Sequence, residues 1–206
     1  MESPPTTFEV KNANGGGYKI DNQGCIKLRK SIKGKNNYIS VGIDTRIQDA
    51  QIVIHGDNNK LLIEKNSIIG PNCSFRLEGN NISISIGEGS TFTRMCNFTA
   101  QEDDMQIEVG KDCMFSNTIV VRTSDSHPIY KMETGERINQ PKSVVIGDHV
   151  WIAPNAKIMK GAIIGAGSVI GSDTMVNKTI PSNCLAVGTP AKIVKENIYW
   201  TRKSLF

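Results

Sequence analysis

His127 stands in the stretch TSDSHPIY (123–130). An imidazole, with an ordinary pKa of about 6.5, is the side chain best suited to take a proton from a hydroxyl at neutral pH. Trp151 comes 24 residues later and brings an indole N–H, a donor able to face a developing oxyanion or to hold an acetyl group. Asp125, two residues before His127, is placed to orient the imidazole and favour its protonated form. In AVGTPAKIVKE (186–196), Lys192 and Lys195 are charges of the kind that meet phosphates. These groups together suit acyl transfer from a thioester to a hydroxyl. A direct transfer is expected, because no serine or cysteine nucleophile is visible beside a base.

Other chemistries fit less well. A catalytic zinc ion needs about three imidazoles converging on it, and the chain has three histidines in all, His55, His127 and His149, with no close pair among them. No metal site is expected. His149 reads as a turn residue facing solvent or a neighbouring subunit, and His55 as a loop residue. The five cysteines make an odd count and are expected as free thiols. A net charge of +4 is modest, but KLRKSIKGK (27–35) packs five basic residues into nine positions. That run leans toward an anionic polymer rather than nucleic acid, against the plainer reading of a solvated face. No apolar run approaches the roughly 20 residues of a transmembrane helix, and MESPPTTFEV lacks the marks of a secretory signal, so the expected address is cytoplasmic.

The elements that must position these residues are written in sixes. From Ile146 the chain reads IGDHVW, IAPNAK, IMKGAI, IGAGSV, IGSDTM, VNKTIP, each block opening on Ile or Val. Six is a multiple of the strand period and not of the helical one, so each block is a short strand plus a turn, and three blocks close one triangular coil. Position five of the first five blocks, Val150, Ala156, Ala162, Ser168 and Thr174, is small or β-branched, as a tight inward corner requires, and the last block has Ile180 there. The front half repeats VGIDTRI, IEKNSII, IGEGSTF and VGKDCMF at spacings of 22 to 23, with polar turns KNN, DNN, GNN and EDD between them. These coils are three sides plus about five extra residues at one corner. Cys73, Cys96 and Cys113 fall at position five and Phe75, Phe92, Phe98 and Phe115 at position one, so all seven are expected in the core; Cys25 and Cys184 fall outside the register.

The fold class is therefore an all-β solenoid, a parallel β-helix of hexapeptide repeats. Residues 1–19 form a lead-in, 20–181 the β-helix, and 182–206 a C-terminal tail and short cap, with Trp200 expected against the terminal coil. The beat stops at 127–145. Pro128 and Pro141 bracket this interruption and Gly135 lets it turn back, so it reads as a protruding loop with His127 at its hinge. Tyr130 and Arg137 on that loop are candidate acceptor contacts.

SDSHPI, VIGDHVWIAPNAKI and GTPAKIVK, set on these repeats, resemble the acceptor, wall and cofactor-binding elements of bacterial hexapeptide-repeat O-acetyltransferases. The pattern is most similar to the branch that modifies capsular or surface polysaccharide, sialic-acid capsules among them. The resemblance implies a left-handed β-helix, acetyl-CoA as donor, a carbohydrate acceptor and a homotrimer with sites between subunits. It makes His127 the general base and Trp151 the neighbour of the acetyl group. It assigns Ala153, Ser172, Asn177, Lys178, Lys192 and Lys195 to the cofactor. Relatives often carry Gly and a small polar residue where this chain has Ala153 and Pro154, and proline has no N–H to donate.

Overall fold

Each six-residue block supplies one short strand and one corner, and stacking the blocks gives a left-handed β-helix with three flat faces. The computed structural model describes residues 6–9, 18–22 and 26–205, with side chains from 27 onward. Cys25 and most of the lead-in lie outside the described residues. Face one stacks Tyr18–Asn22, Tyr38–Val41, Lys60–Ile63, Ser83–Ile86, Gln106–Val109, Val144–Ile146, Ile163–Ile164 and Thr179–Ile180 in parallel register. Face two stacks Ile68–Ile69, Thr91–Arg94, Met114–Asn117, Trp151–Ile152, Val169–Ile170 and Leu185–Val187. Face three stacks Ser74–Glu78, Asn97–Gln101, Val120–Arg122, Lys157–Ile158 and Met175–Val176. Arg46–His55 pairs with both the second and the third face, so it bends round their shared corner. No described helix is long and apolar enough to cross a membrane.

Alternation along each strand places one residue in the core and the next outside, as in the buried pattern of Ser74–Glu78. Phe75 stacks on Phe98 at 5.3 Å and Phe92 on Phe115 at 4.6 Å, all four fully buried, as the register predicts. Cys73, Cys96 and Cys113 are buried free thiols. Burial pushes the Cys113 thiol up to about 11, which suits a filler and not a nucleophile. Cys184 departs from its expected place outside the register. It is buried beneath Ser168, whose Oγ accepts from the Cys184 N–H at 3.1 Å, because the last turn re-enters the same corner column.

The corner between faces three and one carries the extra residues of the front coils. Asn36, Asn58 and Asn81 adopt φ between 55° and 59° there. Gly56 has φ +120, and a Cβ on it would lie 1.9 Å from the Gly79 carbonyl oxygen, so the close coil spacing excludes any side chain.

The chain end differs from expectation. Lys192–Lys195 pairs antiparallel with Leu185–Val187 and covers that edge of face two. Beyond this strand the tail does not lie over the terminal coil. It folds back along the corner between faces one and two, where Ile198 N–H donates to Asn183 O and Arg202 reaches Cys113 O.

Candidate active site

The third-face strand Val120–Arg122 runs into Thr123, whose carbonyl accepts from Lys142 N–H at 2.9 Å. The interruption thus leaves and returns at one point, the corner that the front coils close with an Asn or Asp turn. Between these residues the chain is a hairpin arm. Ile138 N–H donates to Ile129 O at 2.9 Å, Lys131 N–H to Glu136 O at 3.0 Å, and Tyr130 bridges Arg137 across the two limbs.

Asn139 fixes the base of the arm. Its side chain is almost fully buried and uses both ends: Oδ1 accepts from Ile129 N–H at 2.7 Å, and Nδ2 donates to Asp125 Oδ2 at 2.9 Å and to the His127 carbonyl at 2.8 Å. Lys160 closes the other side, donating to Asp125 Oδ2 at 2.5 Å and to Asn139 O at 3.1 Å. The Lys160 ammonium and then the Asn139 amide hold the Asp125 carboxyl below its ordinary value. Asp125 therefore reaches His127 through Asn139 and the backbone; it holds the main chain in place, while the imidazole is exposed.

Arg137 is engaged differently from the expected acceptor contact. Its guanidinium grips Glu102 in two bonds of 2.5 and 2.8 Å, and Ser124 Oγ donates to the same carboxylate at 2.5 Å. The Arg137 hydrogen bonds keep Glu102 below the usual carboxylate range. Arg137 thus pins the arm to the EDD corner one coil earlier. Tyr130 is 55% exposed on the arm and remains available to a ligand or a second copy.

Under the arm lies a cleft of about 580 Å³, lined by Asp125, Asn139, Lys142, Lys160, Met175 and Asn177 among others. It brings Asn177 to the same hollow as Asp125, two coils apart in the stack. Lys178 follows Asn177 and is exposed; Ser172 is exposed at the preceding corner, between faces two and three, and Lys192 and Lys195 are exposed on the terminal strand. Ala153 is buried, and its N–H is engaged in the ladder, donating to Ile170 O at 2.8 Å.

Trp151 faces outward from the second face, half-buried between Met114 and Val169 of the adjoining coils. Its indole Nε1 is closed off and has no hydrogen-bond partner. Leaving such a donor unsatisfied costs about 1–3 kcal/mol. Within one prism, His127 at the third-to-first corner and Trp151 on the second face are not brought together. His149 lies in a turn, as expected, and is half-buried: Nδ1 lies 2.6 Å from Asp112 Oδ2, and the ring stacks on Trp200 at 4.1 Å. Trp200 is correspondingly set beside His149 and not over the last coil.

Residues 143–178 match the family described as bacterial transferase hexapeptide (six repeats). A polysialic acid O-acetyltransferase of Neisseria meningitidis is 37% identical over 175 residues, which is 84% of this chain and 79% of that protein. The chain belongs to the hexapeptide-repeat O-acetyltransferases. The acetyltransferase is also 41% identical over 91 residues to a polysialic acid O-acetyltransferase of Escherichia coli O1:K1, a match covering 44% of this chain and 30% of that longer protein. Its fold superimposes on the polysialic acid O-acetyltransferase OatWY with a TM-score of 0.76 at 35% identity, covering 91% and 92% of the two chains. For the polySia-specific acetyltransferase NeuO the TM-score is 0.68 at 31% identity, covering 92% and 91%.

Sequence reasoning missed Asn139 in this enzyme's arm and the two coil residues that brace it, Lys160 and Glu102. Asn139 sits in a polar loop and Lys160 in an ordinary repeat, so neither carries a periodic mark. Glu102 did have a weak signal: the EDD turn opens on a residue where DNN and GNN place Asp or Gly.

Proposed function

We propose that the chain transfers acetyl from acetyl-CoA to a hydroxyl of sialic acid in an anionic capsular polysaccharide. His127 acts as general base. The imidazole takes the hydroxyl proton as the sugar oxygen attacks the acetyl carbonyl; the C–S bond then breaks, and the proton passes to the departing thiolate. Trp151 lies against the acetyl group, Ser172, Asn177 and Lys178 along the pantetheine, and Lys192 and Lys195 near the phosphates. The two relatives that act on polysialic acid support the acceptor, and the basic run at 27–35, exposed at Lys27, Arg29 and Lys33, is consistent with a polyanion.

The observation that carries the reading is the arm. A solenoid that is regular over most of its described length breaks at one corner, and it braces that break with the Asn139 hydrogen bond to the carbonyl of His127 and the Asn139 and Lys160 bonds to Asp125. Such bracing gives a base the fixed placement that proximity catalysis requires. The separation of His127 and Trp151 within one prism favours sites shared between copies, as in a homotrimer. Exposed Ile129, Met132 and Ile138 give the arm an apolar surface for a neighbouring prism. The donor is a cytoplasmic metabolite, so the expected compartment is the cytoplasm.

The test is thiol release from acetyl-CoA with polysialic acid, neutral capsule fragments, sugar nucleotides and monosaccharides as acceptors. Polysialic acid is expected to give the highest turnover. His127→Ala is expected to lower kcat at least about a hundredfold. Full turnover in that variant would remove His127 from the mechanism, and preference for a free sugar would replace the polymer as acceptor.

A further inference from the structure

The C-terminal segment is tied to the solenoid more tightly than a chain end needs to be. From Asn183 it descends the corner between faces one and two against the direction of the coils, touching His149, then Asp112, then Gly89. Trp200 is held on three sides. Its indole N–H donates to His149 O at 2.9 Å, its carbonyl lies 3.1 Å from His149 Nε2, and its ring stacks on the imidazole at 10°. Asp112 joins the two ends of the latch, meeting His149 Nδ1 through one oxygen and Arg202 Nε at 2.6 Å through the other. Arg202 also donates to Thr91 Oγ1 at 3.0 Å and to Cys113 O at 2.8 Å, spanning two coils. A guanidinium with this many fixed acceptors is a specific anchor.

The neighbour this latch serves is Trp151. The two indole rings lie 5.9 Å apart at 46°. Trp151 has no hydrogen bond to fix its rotation, so packing alone sets the direction of its ring. Coil neighbours Met114 and Val169 flank it in the ladder, and the Trp200 ring stands beside it. Val169, which points outward in the repeat, is only 8% exposed. We infer that residues 197–205 form a strap that orients Trp151 toward the acyl donor, with Trp200 as positioning residue and His149, Asp112 and Arg202 as its latch. This rests on the reading that Trp151 meets the acetyl group. The strap meets the site through Trp151, so its loss is expected to fall on the donor side.

Two readouts separate the strap from the activity. In Trp200→Phe the sole remaining tryptophan is Trp151, and adding Arg202→Ala releases the latch. The double variant is expected to show red-shifted emission and about a twofold or greater rise in acrylamide quenching relative to Trp200→Phe alone. Trp200→Ala is expected to raise the KM for acetyl-CoA about tenfold while leaving the acceptor KM within about twofold, and Trp200→Phe to restore most of the loss. Unchanged quenching in the double variant overturns the strap. So does a Trp200→Ala enzyme with wild-type donor kinetics, or one whose losses fall equally on donor and acceptor and track its melting temperature. A wild-type chain that releases no thiol with any acceptor overturns the acetyl-transfer reading instead, and the quenching comparison, which needs no turnover, tells the two failures apart.

Discussion

The corner between faces three and one is built by two different rules. In the front coils it is a ladder, in which each residue bonds to its own counterpart one coil away. Asn36 donates to Asn58 at 3.2 Å, Asn58 to Asn81 at 3.2 Å and Asn81 to Asp104 at 3.0 Å. Asp57, Asn80 and Asp103 accept from the backbone N–H groups of Lys35, Asp57 and Asn80. At the arm the partners are all unlike: Asn139 with Asp125 and His127, Arg137 with Glu102, Lys160 with Asp125. The ladder distributes its load over equivalent rungs and fixes the spacing of the coils. The arm concentrates its load on one buried amide and fixes the main chain at His127. Repetition fixes the spacing of the coils, and its interruption holds a single segment by contacts found nowhere else among the described residues of the corner.

The sharpest way to test that contrast is to remove the amide. Asn139→Ala deletes the bonds to Ile129 N–H, the His127 carbonyl and Asp125 together. It is expected to lower kcat/KM about ten- to a hundredfold by loosening the base, with the melting temperature of the solenoid nearly unchanged. Steady-state kinetics beside a thermal melt checks this; a large fall in melting temperature with normal kinetics would show the amide to be another rung. Arg137→Ala, which releases the arm from Glu102 and leaves Asn139 in place, should cost about three- to tenfold. A larger effect from Arg137 than from Asn139 would move the centre of the brace to the ion pair.

The same contrast explains how far the amino-acid sequence discloses the molecule. Six-residue blocks opening on Ile or Val mark the faces, and the small residues at position five mark the corners, because a solenoid writes each contact once per coil. Phe75, Phe98 and Phe115 are legible as core for that reason. The break at 127–145 is legible as a departure from the beat. Its interior is not: Asn139 to Asp125 and Lys160 to Asp125 are single contacts across 14 and 35 residues, with no repeat to report them. The turn-back of the tail is invisible likewise, since Arg202 meets Cys113 O across 89 residues through one side chain.

Acid offers a graded probe of the brace. Asp125 and Glu102 both have folded pKa values below their ordinary 3.8 and 4.5, through Lys160 and Arg137 respectively. Carboxyls depressed in this way contribute stability that is present above the ordinary values and is lost as pH falls through the lower folded ones. The arm should therefore stay docked above about pH 4.5 and come loose progressively below it. Pepsin digestion from about pH 5 down to about pH 2 is expected to show cleavage within 129–138 appearing only at the acid end, before the solenoid is cut. In Arg137→Ala the onset should move to higher pH. Simultaneous cutting of arm and solenoid would mean that the arm has no separate acid sensitivity.

The smallest effect on activity should come from the ladder itself. Asn59 is fully buried, with Oδ1 accepting from Ile82 N–H at 2.8 Å and Nδ2 donating to Gly79 O at 2.9 Å. Asn59→Ala leaves both backbone groups without those partners in a dry corner and is expected to cost about 2–4 kcal/mol of stability. Neighbouring coils each carry their own rungs, so the distortion should stay local. The arm is anchored to Glu102, in the corner two coils further on, and kcat/KM should remain within about twofold of wild type. Chemical denaturation and kinetics on the same preparation decide the matter. If Asn59→Ala lowered kcat/KM as much as Asn139→Ala, the corner would act as one cooperative column from the first coil to the arm, and the site would depend on the ladder instead of on its interruption.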